Sequence, residues 1–256
     1  IKYLVFGKSV KYIGNYAFYQ VYKCCGPLVI PDSVETIGDY AFYKCSSFSY
    51  LIVGNNVNYI GNYAFYDCFG LNGISRIPPK LATLGNYSFC NCTKMVCDIV
   101  IPDTVYYIGQ YAFHNCKLMK TLELGNHVNE TGIFSFAFCS GLTELRKLPD
   151  SLVIIGNNTF IRCSSISSAL TIPRSVSLIS STAFYQCSSI PSLIFESNSK
   201  LEEIGKEAFS NCYGIINALT IPDSVSLVGN KAFNNCYNIT GTLTLSKNIK
   251  RINPYT

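Results

Sequence analysis

Two stretches, Leu170–Ile190 (LTIPRSVSLISSTAFYQCSSI) and Leu219–Ile239 (LTIPDSVSLVGNKAFNNCYNI), share one pattern: L-T-I-P-x-S-V-S-L, then A-F, then C. Working outward from them, the Phe recurs along the whole chain at Phe18, Phe42, Phe65, Phe89, Phe113, Phe136, Phe160, Phe184, Phe209 and Phe233. The gaps between copies are 23 to 25 residues. Other columns keep step with it. Ala or another small residue precedes each Phe, and Gly stands four residues before it in every copy except at Ser180. Cys follows three residues after it in every copy but the first, where Val21 fills the slot. Pro lies eleven residues before it at Pro31, Pro78, Pro102, Pro149, Pro173 and Pro222. Self-similarity at such a period is the signature of a solenoid, in which each coil buries its apolar side only against its neighbours.

The unit reads L-x-I-P-x-S-V-x-x-I-G-x-x-A-F-x-x-C-x-x-L, repeated about ten times, with a partial eleventh copy at 243–252. It resembles the BspA-like (treponemal-type) class of leucine-rich repeat proteins over essentially the whole chain. That resemblance implies a right-handed superhelix with a parallel sheet on its concave face. It also implies a surface or secreted, adhesin-like role, with a host extracellular-matrix or surface protein, or a glycan, as partner.

The residues themselves give a matching expectation of a single β-rich α/β solenoid spanning 1–256. The L-x-I segment alternates with period two, as a strand does, so Leu170 and Ile172 point inward and Thr171 outward. Pro suits the strand end because it cannot donate to the ladder. The Gly column marks a corner where a side chain would clash or φ is positive. Phe and Cys three residues apart share one side of a helical turn, which predicts a short helical or 3-10 segment at A-F-x-x-C.

Composition excludes some functions. The net charge of +5 rests on only 14% charged residues, too sparse for the basic face that nucleic-acid binding needs. No apolar run approaches the roughly 18 residues of a membrane span, so no membrane insertion is expected. The chain opens in mid-pattern and reads as an excerpt of a longer one. Neither end shows a polar capping repeat, so flanking repeats or end-to-end self-association are expected.

Thirteen cysteines ordinarily suggest a disulfide framework. Here nine fall in the repeat column, where they read as small buried hydrophobes. Inward-pointing parallel side chains make poor Cβ geometry for bridging, and one Cys per coil does not match the paired spacing of zinc sites. Cys24 fills an apolar core slot, whereas Cys25, Cys90 and Cys97 lie off the ladder and are the expected exposed or reactive thiols. Asp32, Asp103, Asp150 and Asp223 recur just after the Pro as turn residues. The chain has two histidines and no catalytic motif; His114 reads as a surface substitution in a column held elsewhere by Tyr. No enzyme, metal or cofactor is expected.

With the repeated columns assigned to the fold, function is expected in the columns that vary. One is the outward strand row Val29, Ile52, Arg76, Val100, Glu123, Lys147, Thr171, Ile194 and Thr220. The other is aromatic: fifteen of nineteen tyrosines lie at or before Tyr111. Tyr16, Tyr40, Tyr63, Tyr87 and Tyr111 stand two residues before the Phe, continued by Phe134, and Tyr19, Tyr43 and Tyr66 one residue after it. Both rows face away from the Phe/Cys side. They read either as a stacking ladder that supports adjacent coils, or as an aromatic platform for a partner, since Tyr offers large rigid area with a polar tip. Two functions stay open: a cell-surface adhesion module, and an intracellular, cytoplasmic structural scaffold. Five N-x-S/T triplets, at Asn86, Asn91, Asn129, Asn157 and Asn238, lean toward the first. The many thiols lean toward the second.

Overall fold

A computed structural model describes residues 3–253. The chain winds into about ten stacked coils joined by parallel ladders. The longest ladder is a ten-stranded parallel sheet of two-residue strands running from Tyr12–Ile13, through Thr36–Ile37 and Tyr59–Ile60, to Leu227–Val228. Each strand is the x-I step just before the Gly column, and its second residue is buried from Ile13 to Val228.

The L-x-I segments, expected to form one sheet, form four short ones instead. These join Gly26–Ile30 with Phe48–Val53, Asp98–Val100 through Thr121–Glu123 to Glu144–Leu145, Leu170–Ile172 with Leu193–Phe195, and Leu219–Thr220 with Leu243–Thr244. Side-chain oxygens stand in the ladder near the breaks. Val53 N–H donates to Ser75 Oγ at 3.3 Å, Leu145 N–H to Ser168 Oγ at 3.1 Å, and Leu193 N–H to Asn217 Oδ1 at 3.0 Å. Buried amides are thereby satisfied without a backbone partner.

No helix occurs among the described residues, which corrects the expected α/β class and its helical or 3-10 turns. The A-F-x-x-C segment is a chain of β-turns. In the second coil Ala41 N–H donates to Gly38 O at 3.3 Å, Tyr43 to Tyr40 O at 3.1 Å and Cys45 to Phe42 O at 3.1 Å. Between these turns, Tyr40 (φ 56°) and Lys44 (φ 57°) are left-handed, and the same two positions are left-handed in all ten coils. A left-handed residue ends any right-handed run. It turns alternate amides outward along the stack: Tyr40 N–H bonds Asn62 O at 2.8 Å, Phe42 bonds Ala64 O at 2.8 Å and Lys44 bonds Tyr66 O at 2.7 Å. These bonds form a third ladder, on what is here called the turn face.

The Gly column is a matter of space. Gly109 has no positive φ, but a Cβ there would lie 2.5 Å from the Gly85 carbonyl carbon, so coils stack backbone on backbone at this corner. Inside, the Phe column forms a continuous stack with centroids 5.0–5.6 Å apart from Phe18 to Phe233. Phe42 through Phe209 are fully buried.

The Cys column is buried as expected, and each thiol also makes a bond that spacing did not reveal. Cys45 Sγ donates to Phe18 O at 2.9 Å, Cys116 to Phe89 O at 3.2 Å, Cys187 to Phe160 O at 3.0 Å and Cys236 to Phe209 O at 3.1 Å. A Cys supplies small apolar volume and a weak donor at once. The aspartates after the Pro column bridge neighbouring coils: Asp32 Oδ1 accepts from Asn55 N–H and Asp103 Oδ1 from Asn126 N–H, both at 2.7 Å.

Candidate functional site

On the turn face the sequence places aromatic residues where the backbone is left-handed. Tyr16, Tyr40, Tyr63, Tyr87, Tyr111 and Phe134 all have φ between 55° and 57°. One coil's ring lies directly over the next. Centroids are 4.8, 4.7, 4.5, 4.4 and 4.8 Å apart along that row, with interplanar angles of 4° to 17°. Tyr19, Tyr43 and Tyr66 form the second row, stacked at 4.9 and 5.1 Å. The rows touch through tilted contacts within each coil: Tyr16–Tyr19 at 5.6 Å, Tyr40–Tyr43 at 5.5 Å and Tyr63–Tyr66 at 5.5 Å. All eight sequence-predicted tyrosines therefore form one strip.

Tyr16 and Tyr19 are exposed, and the other six are half-buried by their neighbours. Burial, and then the adjoining phenols and acids, raise the hydroxyl pKa of Tyr40, and push those of Tyr66 and Tyr87 up to about 12. These three phenols thus stay protonated, and uncharged, across ordinary pH. Lys44 lies 5.3 Å from the Tyr43 centroid, a cation–π contact at its edge.

His114 and Cys90 occupy the second row beyond Tyr66. His114 is half-buried rather than a surface substitution, tilted against Tyr111 at 5.4 Å and Phe138 at 5.2 Å, and burial lowers its pKa. Its Nδ1 lies 3.8 Å from Cys90 Sγ. A nucleophilic Cys–His pair needs a depressed thiol pKa, yet burial pushes Cys90 up to about 12. Cys90 is buried and Cys97 half-buried with its thiol also pushed up to about 12, which corrects the expectation that both are reactive; Cys25 is exposed as expected. Among the described residues, no group of three or more His, Cys, Asp or Glu could hold a metal ion.

The outward strand row is only partly in register. Val29 faces Ile52, Val100 faces Glu123, Thr171 faces Ile194 and Thr220 faces Thr244 across the ladders. Arg76 and Lys147 do not belong to it. Leu51 pairs with Ile74, and Ser75 N–H bonds Leu51 O, so Ser75 stands beside Ile52. Leu122 pairs with Leu145, so Arg146 stands beside Glu123. In these two coils an extra residue separates the buried pair, giving Ile74-x-x-Ile77 and Leu145-x-x-Leu148. Counting back from the Phe misses this; counting forward from the strand's own Leu would find it. Arg146, missed in sequence, pairs with Glu123 and, at 3.2 Å, with Glu144. Lys147 pairs with Asp150 at 3.1 Å, and Arg76 bonds Asn55. Exposed pairs of this kind contribute little to stability.

Stacked parallel coils with one Leu-x-Ile strand per coil define a leucine-rich repeat solenoid. The model of the BspA type leucine rich repeat region matches in six copies, over residues 1–96, 95–198 and 168–256, and the chain belongs to that family. Among solved structures it is similar to a T. pallidum leucine rich repeat protein (22% identity, TM-score 0.59, covering 84% of this chain and 83% of that one). A leucine rich cell surface protein from Faecalibacterium prausnitzii A2-165 is also similar (21%, 0.54, 98% and 69%), as is a leucine-rich repeat protein from Eubacterium ventriosum (16%, 0.54, 90% and 81%). At these identities the likeness establishes the fold. Curated protein sequences yield no match.

Proposed function

We propose that this chain is a non-enzymatic protein-binding module of the cell surface, and that its aromatic strip docks a partner protein. One observation carries the reading: the fold does not need the rings. The column that holds Tyr16 to Phe134 continues as Asn158, Thr182, Glu207 and Lys231, with the same left-handed φ of 54° to 58°. Coils with and without aromatics stack alike. Rigid aromatic area with polar tips is what interface hot spots use. The cell-surface relative from F. prausnitzii supports the location.

The test replaces Tyr40, Tyr63 and Tyr87 together by Asn, which tolerates a left-handed backbone. Proximity labelling with the intact chain, followed by binding to each recovered protein and to immobilised extracellular-matrix protein, is expected to show capture lost in the variant. Retained binding with a lowered Tm would mean the rings only stack.

The intracellular scaffold reading draws on the thirteen cysteines, none of which forms a disulfide among the described residues. That support is weak. Eleven of the thiols are buried, the column thiols from Cys45 on are bonded to Phe carbonyls, and burial raises their pKa, which protects them from oxidation in any compartment. Thiol titration of the native protein is expected to modify Cys25 first.

A further inference from the structure

Where the aromatic strip ends, the same turn face opens into a shallow trough of about 560 Å³ that crosses five coils. One side is set by the second left-handed position of each coil: Phe138, Arg162, Gln186 and Asn211. The other is set two residues further on, by Lys117, three successive serines (Ser140, Ser164 and Ser188), and Tyr213. Core Phe centroids place these coils 5.2–5.6 Å apart. The trough therefore offers hydroxyl and amide groups at one regular step per coil.

Its charge is one-sided. None of the five segments 114–117, 137–140, 161–164, 185–188 and 210–213 contains a carboxylate. Arg162 is braced, with Nε donating to Gln186 Oε1 at 2.8 Å and the guanidinium 5.4 Å from the Phe138 centroid. Among the described residues, neither Arg162 nor the Lys117 side chain makes a salt bridge, unlike Arg146 and Lys147 on the strand side. An oriented guanidinium with unspent terminal N–H groups suits a planar or tetrahedral anion.

We infer that this trough binds a linear anionic saccharide, one bearing sulfate or uronate groups. The lining suits that class. Serines and amides match sugar hydroxyls, Tyr213 at one end offers an exposed ring for sugar C–H groups, and the regular step suits a repeating polymer. The trough has no apolar pocket to anchor a peptide side chain. This site is separate from the aromatic strip, and its test does not depend on that strip binding anything.

The experiment is calorimetric titration of the whole chain with four probes: a heparin-derived oligosaccharide, its desulfated counterpart, a dextran oligosaccharide of equal length and a poly-glutamate peptide. Either anionic saccharide is expected to bind better than dextran and poly-glutamate. K117Q with R162Q is expected to weaken that binding by roughly tenfold or more. The control R174Q with K200Q removes the same charge elsewhere and is expected to leave it unchanged. An equal loss in the control would mean diffuse electrostatics and would overturn the site, as would dextran or poly-glutamate binding equally well, or no saccharide binding at all. A circular-dichroism melt of each variant separates loss of the site from loss of fold.

Discussion

The turn face has two halves with one backbone and two surfaces. From Tyr16 to Phe134 its first left-handed column carries stacked rings; from Asn158 to Lys231 it carries polar and charged groups, with Thr182 Oγ1 donating to Asn158 Oδ1 at 2.6 Å. The second left-handed column does not divide in this way. Asn115 bonds Asn91 at 2.9 Å and Asn91 bonds Asp67 at 2.7 Å in the first half, and Arg162 bonds Gln186 and Asn235 bonds Asn211, both at 2.8 Å, in the second. The halves differ in side chain and not in φ, so the inter-coil hydrogen bonds fix the backbone and leave the outward side chain to other demands. A surface that the fold does not dictate is where recognition can change without loss of the solenoid.

The contrast can be broken most severely from beneath. Phe113 lies between Phe89 at 5.3 Å and Phe136 at 5.6 Å, below the ring-bearing half. Phe113→Ala is expected to cost about 3–5 kcal/mol in urea denaturation, through lost transfer energy and a cavity. Because each coil is held only by its neighbours, that loss should part the array into two less cooperative blocks. A single unchanged transition would contradict this.

A smaller and deliberately equal effect is expected in the thiol ladder. Cys116→Ala and Cys187→Ala each remove a buried S–H donor from a Phe carbonyl, one under each half. Each should cost about 1–2 kcal/mol. A twofold difference between them would show that the halves differ in core as well as in surface.

Substitution on the surface itself should separate the halves. Tyr63→Asn keeps a residue that accepts the left-handed backbone but removes stacking at 4.7 and 4.5 Å, for a loss of roughly 1 kcal/mol. Thr182→Asn, in the polar half, replaces a β-branched residue at φ 55° and should raise stability by about 0.5–1 kcal/mol. Opposite signs at equivalent positions, read from thermal melts, are the expected outcome; a stabilised Tyr63→Asn would mean that the rings contribute no net stacking energy.

The mildest effect is on titration. Burial and the neighbouring phenols and acids raise Tyr66 and Tyr87 to about 12 in the folded state. Their protonated forms are favoured by folding, so this contribution is whole below the ordinary phenol pKa of about 10 and fades as pH rises through about 12. Absorbance titration should show late-ionising phenols that Tyr66→Phe and Tyr87→Phe remove, with stability declining over the same window.

Much of this was legible in the sequence. The Phe, Cys and Leu columns named the buried ladders, and the Tyr columns named a strip lying on one side of the coil. The helix at A-F-x-x-C was not legible as false, because a three-residue spacing of Phe and Cys fits a helical turn and a pair of β-turns equally well. Arg146 was missed because the register was counted from the Phe, whereas the extra residue at Arg146–Lys147 falls between strand and Pro. Cys90 was misplaced because its distance from the Cys column hid its membership of the second Tyr row.

By itself, the sequence determined which side chains face inward and how often they recur, since burial leaves a period that one chain can display. Only the tertiary structure decided the left-handed turns, the broken strand sheet, the thiol-to-carbonyl bonds and the trough beside Arg162. The reason is where the hydrogen-bond partners lie. Each of those features is fixed by a group one coil away, some 22 to 28 residues along the chain, and no local window holds both ends of the bond.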